Sequence, residues 1–324
     1  MDIQKMISEM IAGKKEDGGI KNVFFVACGG SCAALYPAKL LLEKEALNLR
    51  TGQYTSNEFV HNPPKALGKS SIVVLASHGG NTPETVSAAK LSHETGAGVI
   101  ALTWTKDAEI SKFSDATVGY SWGEGKNTSD EKIIQALKIA VEILNQTEGY
   151  PYYEQFMDGV HKIDRVVEKA KDKVKERAAR FAQEHKDDTM IYTMGSGVGF
   201  GAAYMQAICI FMEMQWINAA SIHTGEYFHG PFEVTDYNIP FMIQISEGPT
   251  RPLDERALKF LQQYARRVEV LDARELGLSV IDTSVAEYFN HSLFTNVYDV
   301  YNEALAGIRQ HPLSVRRYMW KVQY

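Results

Sequence analysis

The run Ser71–Ser77, SIVVLAS, constrains the fold more than any other stretch of the chain. Seven residues with almost no polar alternation read as a strand covered on both faces, which happens where helices flank a parallel sheet. The turn His78-Gly79-Gly80-Asn81 ends it. Thr82–Thr95 then reads as a helix, with Pro83 and Glu84 in the first turn, where a missing N–H and a negative charge both suit the helix start. The same grammar recurs around it. Asn22–Cys28 is a β-rich run ended by Gly29-Gly30-Ser31, and Ala33–Leu47 has helical character. Gly52–Ser56 is a weak strand, Val99–Thr103 and Ala116–Ser121 are further strands, and Glu131–Leu144 is helical. Strands alternating with helices predict an open parallel α/β sheet.

The pattern breaks at Glu148–Tyr153, a Gly, Pro and Tyr cluster taken as a linker. A charged amphipathic helix follows, with Ile163, Val166, Val167, Ala170, Val174 and Phe181 at helical spacing. Met190–Met194 is a strand ended by Gly195-Ser196-Gly197, and Phe200–Ala220 reads as a long buried helix. Phe241–Ser246 and Arg267–Leu271 are later strands. Both halves therefore begin with strand, Gly/Ser turn and helix, and 324 residues suit two domains better than one.

The chain is 45% hydrophobic, enough for a sizeable core, and this excludes a disordered or disulfide-stapled protein. Lys plus Arg is 34 against 40 Asp plus Glu, so the mildly acidic chain lacks the basic face that nucleic-acid binding needs. Three cysteines, Cys28, Cys32 and Cys209, make no secreted disulfide framework and no zinc-finger spacing, and no metal or cofactor is expected. The N-terminus lacks the apolar core of a signal peptide, and Gln206, Glu213, Gln215 and Asn218 interrupt the most apolar window. The expected setting is cytoplasmic, with neither membrane nor nucleic acid as a partner.

Two Gly- and hydroxyl-rich turns stand in the first half: Gly29-Gly30-Ser31 and Ser77-His78-Gly79-Gly80-Asn81-Thr82. Glycine lets a backbone approach a ligand, hydroxyls donate hydrogen bonds, and a helix N-terminus offers N–H groups and a positive dipole end. In an open α/β sheet ligands sit beyond the carboxyl ends of the strands, where both turns fall. Together they form a candidate phosphate cradle that relies on no Lys or Arg. Tight βα turns need the same residue types for their own geometry. Neither turn matches a Walker loop or G-x-G-x-x-G.

In the second half Glu213 sits within IFMEMQWI. A carboxyl on an apolar helix has a raised pKa, which suits it to moving protons near neutral pH; a structural ion pair is the other reading. His223 and His229 lie in a stretch with Gly, Glu and Pro, HTGEYFHGP. Histidine titrates near neutral pH, so His229 is a candidate acid or base; as metal ligands the two lack an evident third partner. The basic, aromatic tail from Arg316 to Tyr324 reads as a docked segment that closes a pocket.

Ala27-Cys-Gly-Gly-Ser31 with Ser77-His-Gly-Gly-Asn-Thr82 resembles the phosphate loops of sugar isomerase (SIS) domains. Glu213 followed by Gly225-Glu-Tyr-Phe-His229-Gly-Pro231 resembles the second SIS domain of glucosamine-6-phosphate synthase. Met212-Glu-Met-Gln-Trp216 and the ending RRYMWKVQY are similar to the fructosamine-6-phosphate deglycases. The resemblance spans about the whole chain. It implies two tandem SIS domains, 1–150 and 151–324, each a parallel flavodoxin-like sheet flanked by helices. About twenty residues precede the first strand, so no glutaminase domain and no DNA-binding module is expected.

The resemblance further implies that Ser31, Ser77 and Thr82 hold a sugar phosphate. Gly79 stands where many SIS domains have serine, and a backbone N–H takes that contact. Gly30, His78 and Lys321 are further substrate contacts. Glu213 is the catalytic glutamate. His229 is the catalytic histidine, which in such dimers reaches into the partner's site. The implied reaction cleaves a phosphorylated Amadori compound to glucose 6-phosphate and an amino acid, in a homodimer or larger assembly. An aldose–ketose isomerase, an aminosugar-phosphate deaminase and a non-catalytic sugar-phosphate sensor remain open on the same fold.

Overall fold

The run that begins at Ser71 forms a strand in which every residue is buried, at the centre of a five-stranded parallel sheet. The computed structural model describes residues 2–105 and 107–323. The chain divides into two units, one ending at His161 and the other starting at Lys162.

In the first unit the elements are α1 (Ile3–Gly13), β1 (Asn22–Ala27), α2 (Gly29–Glu45), β2 (Arg50–Thr55), α3 (Ser56–His61), β3 (Ser71–Ala76), α4 (Pro83–Glu94), β4 (Gly98–Leu102), β5 (Ala116–Val118) and α5 (Lys132–Thr147). The strand order is β2-β1-β3-β4-β5, all parallel. β1, β3 and β4 are wholly buried because helices cover them, whereas β2 at the edge is only partly covered, which accounts for its weak apolar signal. One layer of this core packs Phe24, Val26, Val73, Leu75, Val99 and Ala101 against Phe59, Ala88 and Ala89 of α3 and α4.

α2 begins four residues earlier than the helical run expected from Ala33, so Gly29-Gly30-Ser31 is its first turn rather than a turn before it. The expected linker, 148–153, is the connection after α5, with Gly149 at φ +83°, except that Tyr153 already opens the next helix.

The following helix, α6, spans Tyr153–His185. The second unit continues with β6 (Met190–Gly195), α7 (Phe200–Met205), a π-helical stretch (Gln206–Met214), β7 (Asn218–His223), β8 (Phe241–Ile245), α8 (Arg251–Tyr264), β9 (Val268–Asp272) and α9 (Asn290–Arg309). Its strands are parallel in the order β7-β6-β8-β9. This repeats the first four positions of the other sheet. The expected helix over Phe200–Ala220 stops at Met214, and Asn218–Ala220 belongs to the edge strand β7. Among the described residues Gly197–Met214 is the one stretch long and apolar enough to cross a membrane, and half of it is buried within the fold.

α9 carries a wholly buried histidine, His291, whose two ring nitrogens have no hydrogen-bond partner among the described residues. Burial disfavours the imidazolium and pulls its pKa down to about 3. The folded chain therefore holds His291 neutral where the unfolded chain takes up a proton. Stability is intact above the unfolded pKa near 6.5 and falls as pH drops toward 3, by at most about 1.4 kcal/mol per pH unit. His291→Leu keeps the shape and removes both the titration and the unpartnered polar atoms. Denaturant titrations from pH 7 to 4 should show a variant at least as stable as wild type at pH 7, with a shallower acid slope. An unchanged slope would count against the assignment.

Candidate active site

In the first unit the chain runs from β1 outward to β2 and returns across β1 to β3, so the winding reverses between β1 and β3. Such a reversal leaves a crevice at the carboxyl ends of the two strands. Ala27 pairs with Ala76, which brings the segments after them side by side: the first turn of α2, and Ser77–Thr82 leading into α4. The two turns singled out in the sequence thus flank one crevice, with two helix N-termini directed at it.

The second loop is braced from within. The buried Ser77 hydroxyl pairs with Thr82 Oγ1 at 2.9 Å, Gly80 N–H donates to Ser77 O, and Ile110 N–H donates to Gly80 O. Gly80 has φ +67°, and a Cβ there would lie 2.2 Å from Ala108 Cβ, so glycine is required. Gly79 is exposed, with open space where a Cβ would stand. Gly30 and Ser31 are half-buried on the other side of the crevice.

Lys132, at the start of α5, donates to Ser31 Oγ at 2.9 Å and lies 5.1 Å from the Tyr120 ring centroid. The sequence reading of a cradle without cations omitted it, because about a hundred residues separate Lys132 from Ser31 and no local pattern marks it. His78 Nδ1 is 2.9 Å from Tyr120 OH, and its ring stacks on Trp104 at 5.5 Å. Burial, then Lys132, lower the His78 pKa, so the imidazole is neutral at pH 7. Burial likewise raises the Tyr120 pKa and keeps its hydroxyl protonated.

At the corresponding reversal in the second unit, between β6 and β8, the unit's own polar groups bond one another. Ser196 Oγ bonds Thr250 O, Thr224 Oγ1 bonds Asp254 Oδ1 at 2.7 Å, and Ser246 N–H bonds Asp254 Oδ2 at 3.0 Å. Asp254 is fully buried, and desolvation pushes its pKa up to about 6. A buried carboxyl at this position is a poor neighbour for a phosphate.

Glu213 lies in the last turn of the π-helical stretch, a local geometry that often marks functional positions. Gln215 N–H bonds Ile210 O across five residues, and Trp216 then takes φ +56°, which ends the helix. The C-terminal tail docks against this end. Gln215 Nε2 donates to His311 O at 2.8 Å, Trp216 packs edge-on to His311, and Arg317 lies over the Trp216 ring at 4.3 Å. Arg316, 8% exposed, pairs with Glu213 Oε1 at 2.7 Å. Burial raises the Glu213 pKa, while the charge and hydrogen bond of Arg316 act against the rise. Lys321 is exposed, and its ammonium donates to Arg316 O.

His229 is exposed in the turns after β7, its N–H bonded to Glu226 O. Among the described residues no hydrogen bond or ion pair joins it to Glu213. His223 ends β7 rather than lying in a loop, and its Nδ1 accepts from Gly225 N–H at 3.1 Å.

Residues 19–128 match the SIS domain family, so the class defined by the first unit's parallel sheet and its crevice is that of SIS proteins. The chain is 42% identical to the fructosamine deglycase FrlB of Bacillus subtilis, over 94% of this chain and 93% of that protein. It is 24% identical to the fructoselysine 6-phosphate deglycase of Escherichia coli K12, over 85% of this chain and 78% of the relative. A crystal structure from Salmonella typhimurium LT2, described as a candidate phosphosugar isomerase, superposes with a TM-score of 0.96 at 46% identity, covering 100% of this chain and 98% of the other. The chain belongs to the SIS-domain family that includes the Bacillus fructosamine deglycase.

Proposed function

We propose that the protein is a deglycase that cleaves fructosamine 6-phosphates with water, giving glucose 6-phosphate and a free amino acid. The observation that carries this is the 42% identity, over nearly all of both chains, to a protein named a fructosamine deglycase. The 6-phosphate follows from the name of the Escherichia coli relative and from the crevice of hydroxyls, helix N-termini and Lys132.

The two units take the roles of tandem SIS domains, residues 1–150 and 151–324, each built on a flavodoxin-like sheet. The repeated strand order supports this. Ser31, Ser77, Thr82 and the Gly79 N–H hold the phosphate, with Gly30 and His78 beside them. The buried Asp254 carboxyl at the second unit's reversal favours the first unit's crevice as the phosphate site.

His229 opens the sugar ring by moving the anomeric proton. Glu213 removes a proton from C1, giving an enaminol, and a proton returned to C2 completes the shift of the carbonyl function to C1. The resulting imine takes up water and releases the amine. A half-buried carboxyl with a raised pKa suits a group that accepts and returns a proton near pH 7. The exposure of His229, and the lack of a bond between it and Glu213, favour a homodimer in which His229 serves the partner's site. Apolar side chains exposed near Glu213, among them Met212 and Trp216, fit burial against a second copy. A doubly charged phosphorylated substrate fits a cytoplasmic setting.

The description of the Salmonella structure favours a second reading, phosphosugar isomerisation, which shares the ring opening and proton transfer. Incubation with a synthetic fructosamine 6-phosphate separates the two. Release of glucose 6-phosphate and free amine in equal amounts is expected. An isomerised sugar phosphate with no amine released would overturn the deglycase reading.

A further inference from the structure

The contact between Arg316 and Glu213 is half of what a guanidinium can offer. Arg316 is nine-tenths buried, its Nη1 donates to Leu313 O and Val315 O, and Nη2 reaches a single oxygen of Glu213. The neighbouring Nε–H is buried and has no partner among the described residues. Nε and Nη2 together form the fork that matches a carboxylate through two parallel hydrogen bonds, so the pair with Glu213 leaves one prong empty.

This inference rests on the deglycase reading, in which Glu213 takes a proton from C1 of the sugar. C1 bears the amine nitrogen, and in a glycated α-amino group the next carbon carries the α-carboxylate. That carboxylate must therefore arrive within a few bonds of Glu213, beside Arg316. We propose that Arg316 is the residue that reads the α-carboxylate of the substrate's amino-acid half. Substrate takes both Nε–H and Nη2–H of Arg316 and displaces Glu213, which is then free to act as the base. The exchange satisfies a buried donor and turns a one-oxygen ion pair into a bidentate one. It also removes the cation that lowers the basicity of Glu213 at the moment a base is needed. An amine without the carboxylate leaves Glu213 held by Arg316.

The test compares the fructosamine 6-phosphate of alanine with that of ethylamine, which differs only in lacking the carboxylate. Wild type should favour the alanine compound by about 100-fold in kcat/KM, the scale of truncating one side of a buried charge pair. Arg316→Gln should bring the alanine compound down to the ethylamine value or below. Arg316→Lys should recover part of the preference through its charge. Glucose 6-phosphate binding and the thermal midpoint serve as checks that the variants are folded. Equal kcat/KM for the two compounds in wild type would overturn the assignment whatever the variants do. So would an Arg316→Gln protein that is folded and keeps the preference. If wild type releases glucose 6-phosphate from neither compound, the deglycase reading itself fails.

Discussion

Glu213→Gln should lower kcat by about 1,000-fold, within the range supplied by a positioned acid–base group, while glucose 6-phosphate binds with nearly unchanged affinity. The amide has the shape of the carboxyl and keeps an acceptor for Arg316 Nη2, but it cannot take the C1 proton. The two readouts together carry the test. Loss of turnover with binding intact places Glu213 in the chemical step. Loss of both would mean that the substitution has disturbed the π-helical turn or released the docked tail. Full activity would remove Glu213 from the reaction and leave its pairing with Arg316 as a structural feature of the tail.

Gly80→Ala should destabilise the first unit by about 3 kcal/mol and raise KM for phosphorylated substrate at least tenfold. The left-handed conformation at φ +67° costs an L-residue about 1–2 kcal/mol. The added methyl would lie 2.2 Å from Ala108 Cβ and 3.0 Å from Thr103 Oγ1, and overpacking of this kind costs about 1–3 kcal/mol more. Relief requires the loop to shift, which breaks the bond from Ile110 N–H to Gly80 O and displaces Thr82 from Ser77. Gly79→Ala is the comparison for stability, since its Cβ meets open space and its backbone takes no left-handed φ. Denaturant melts of both variants should separate by most of the stated energy. If the two melt together, the tightness of the loop at Gly80 has been overestimated.

Much of this was legible in the residues, for local reasons. β1, β3, β4 and β8 could be read because strands covered on both faces are apolar almost throughout, and the glycines after β1 and β3 mark the turns. β2 and β7 were hard to read because these edge strands are half-covered; β7 was absorbed into the preceding helix, because Trp216, Ile217, Ala219 and Ala220 extend its apolar character past Met214. The π-helical winding before Trp216 left no sign in the sequence, since Trp is an unusual residue for the left-handed conformation that ends it.

The sequence by itself determined that the chain is an α/β protein of two similar halves, that two Gly- and hydroxyl-rich turns lie at strand ends, and that Glu213 sits on apolar surroundings. These are properties of neighbouring residues, expressed in periodicity and turn chemistry. Only the tertiary structure decided that the two turns share one crevice, because strand order is set by pairings between distant segments. It also brought Lys132 to Ser31 and Arg316 to Glu213, each from about a hundred residues away. Polar groups that meet across such separations leave no spacing to read. Their partnership exists only once the sheet and helices have brought them together.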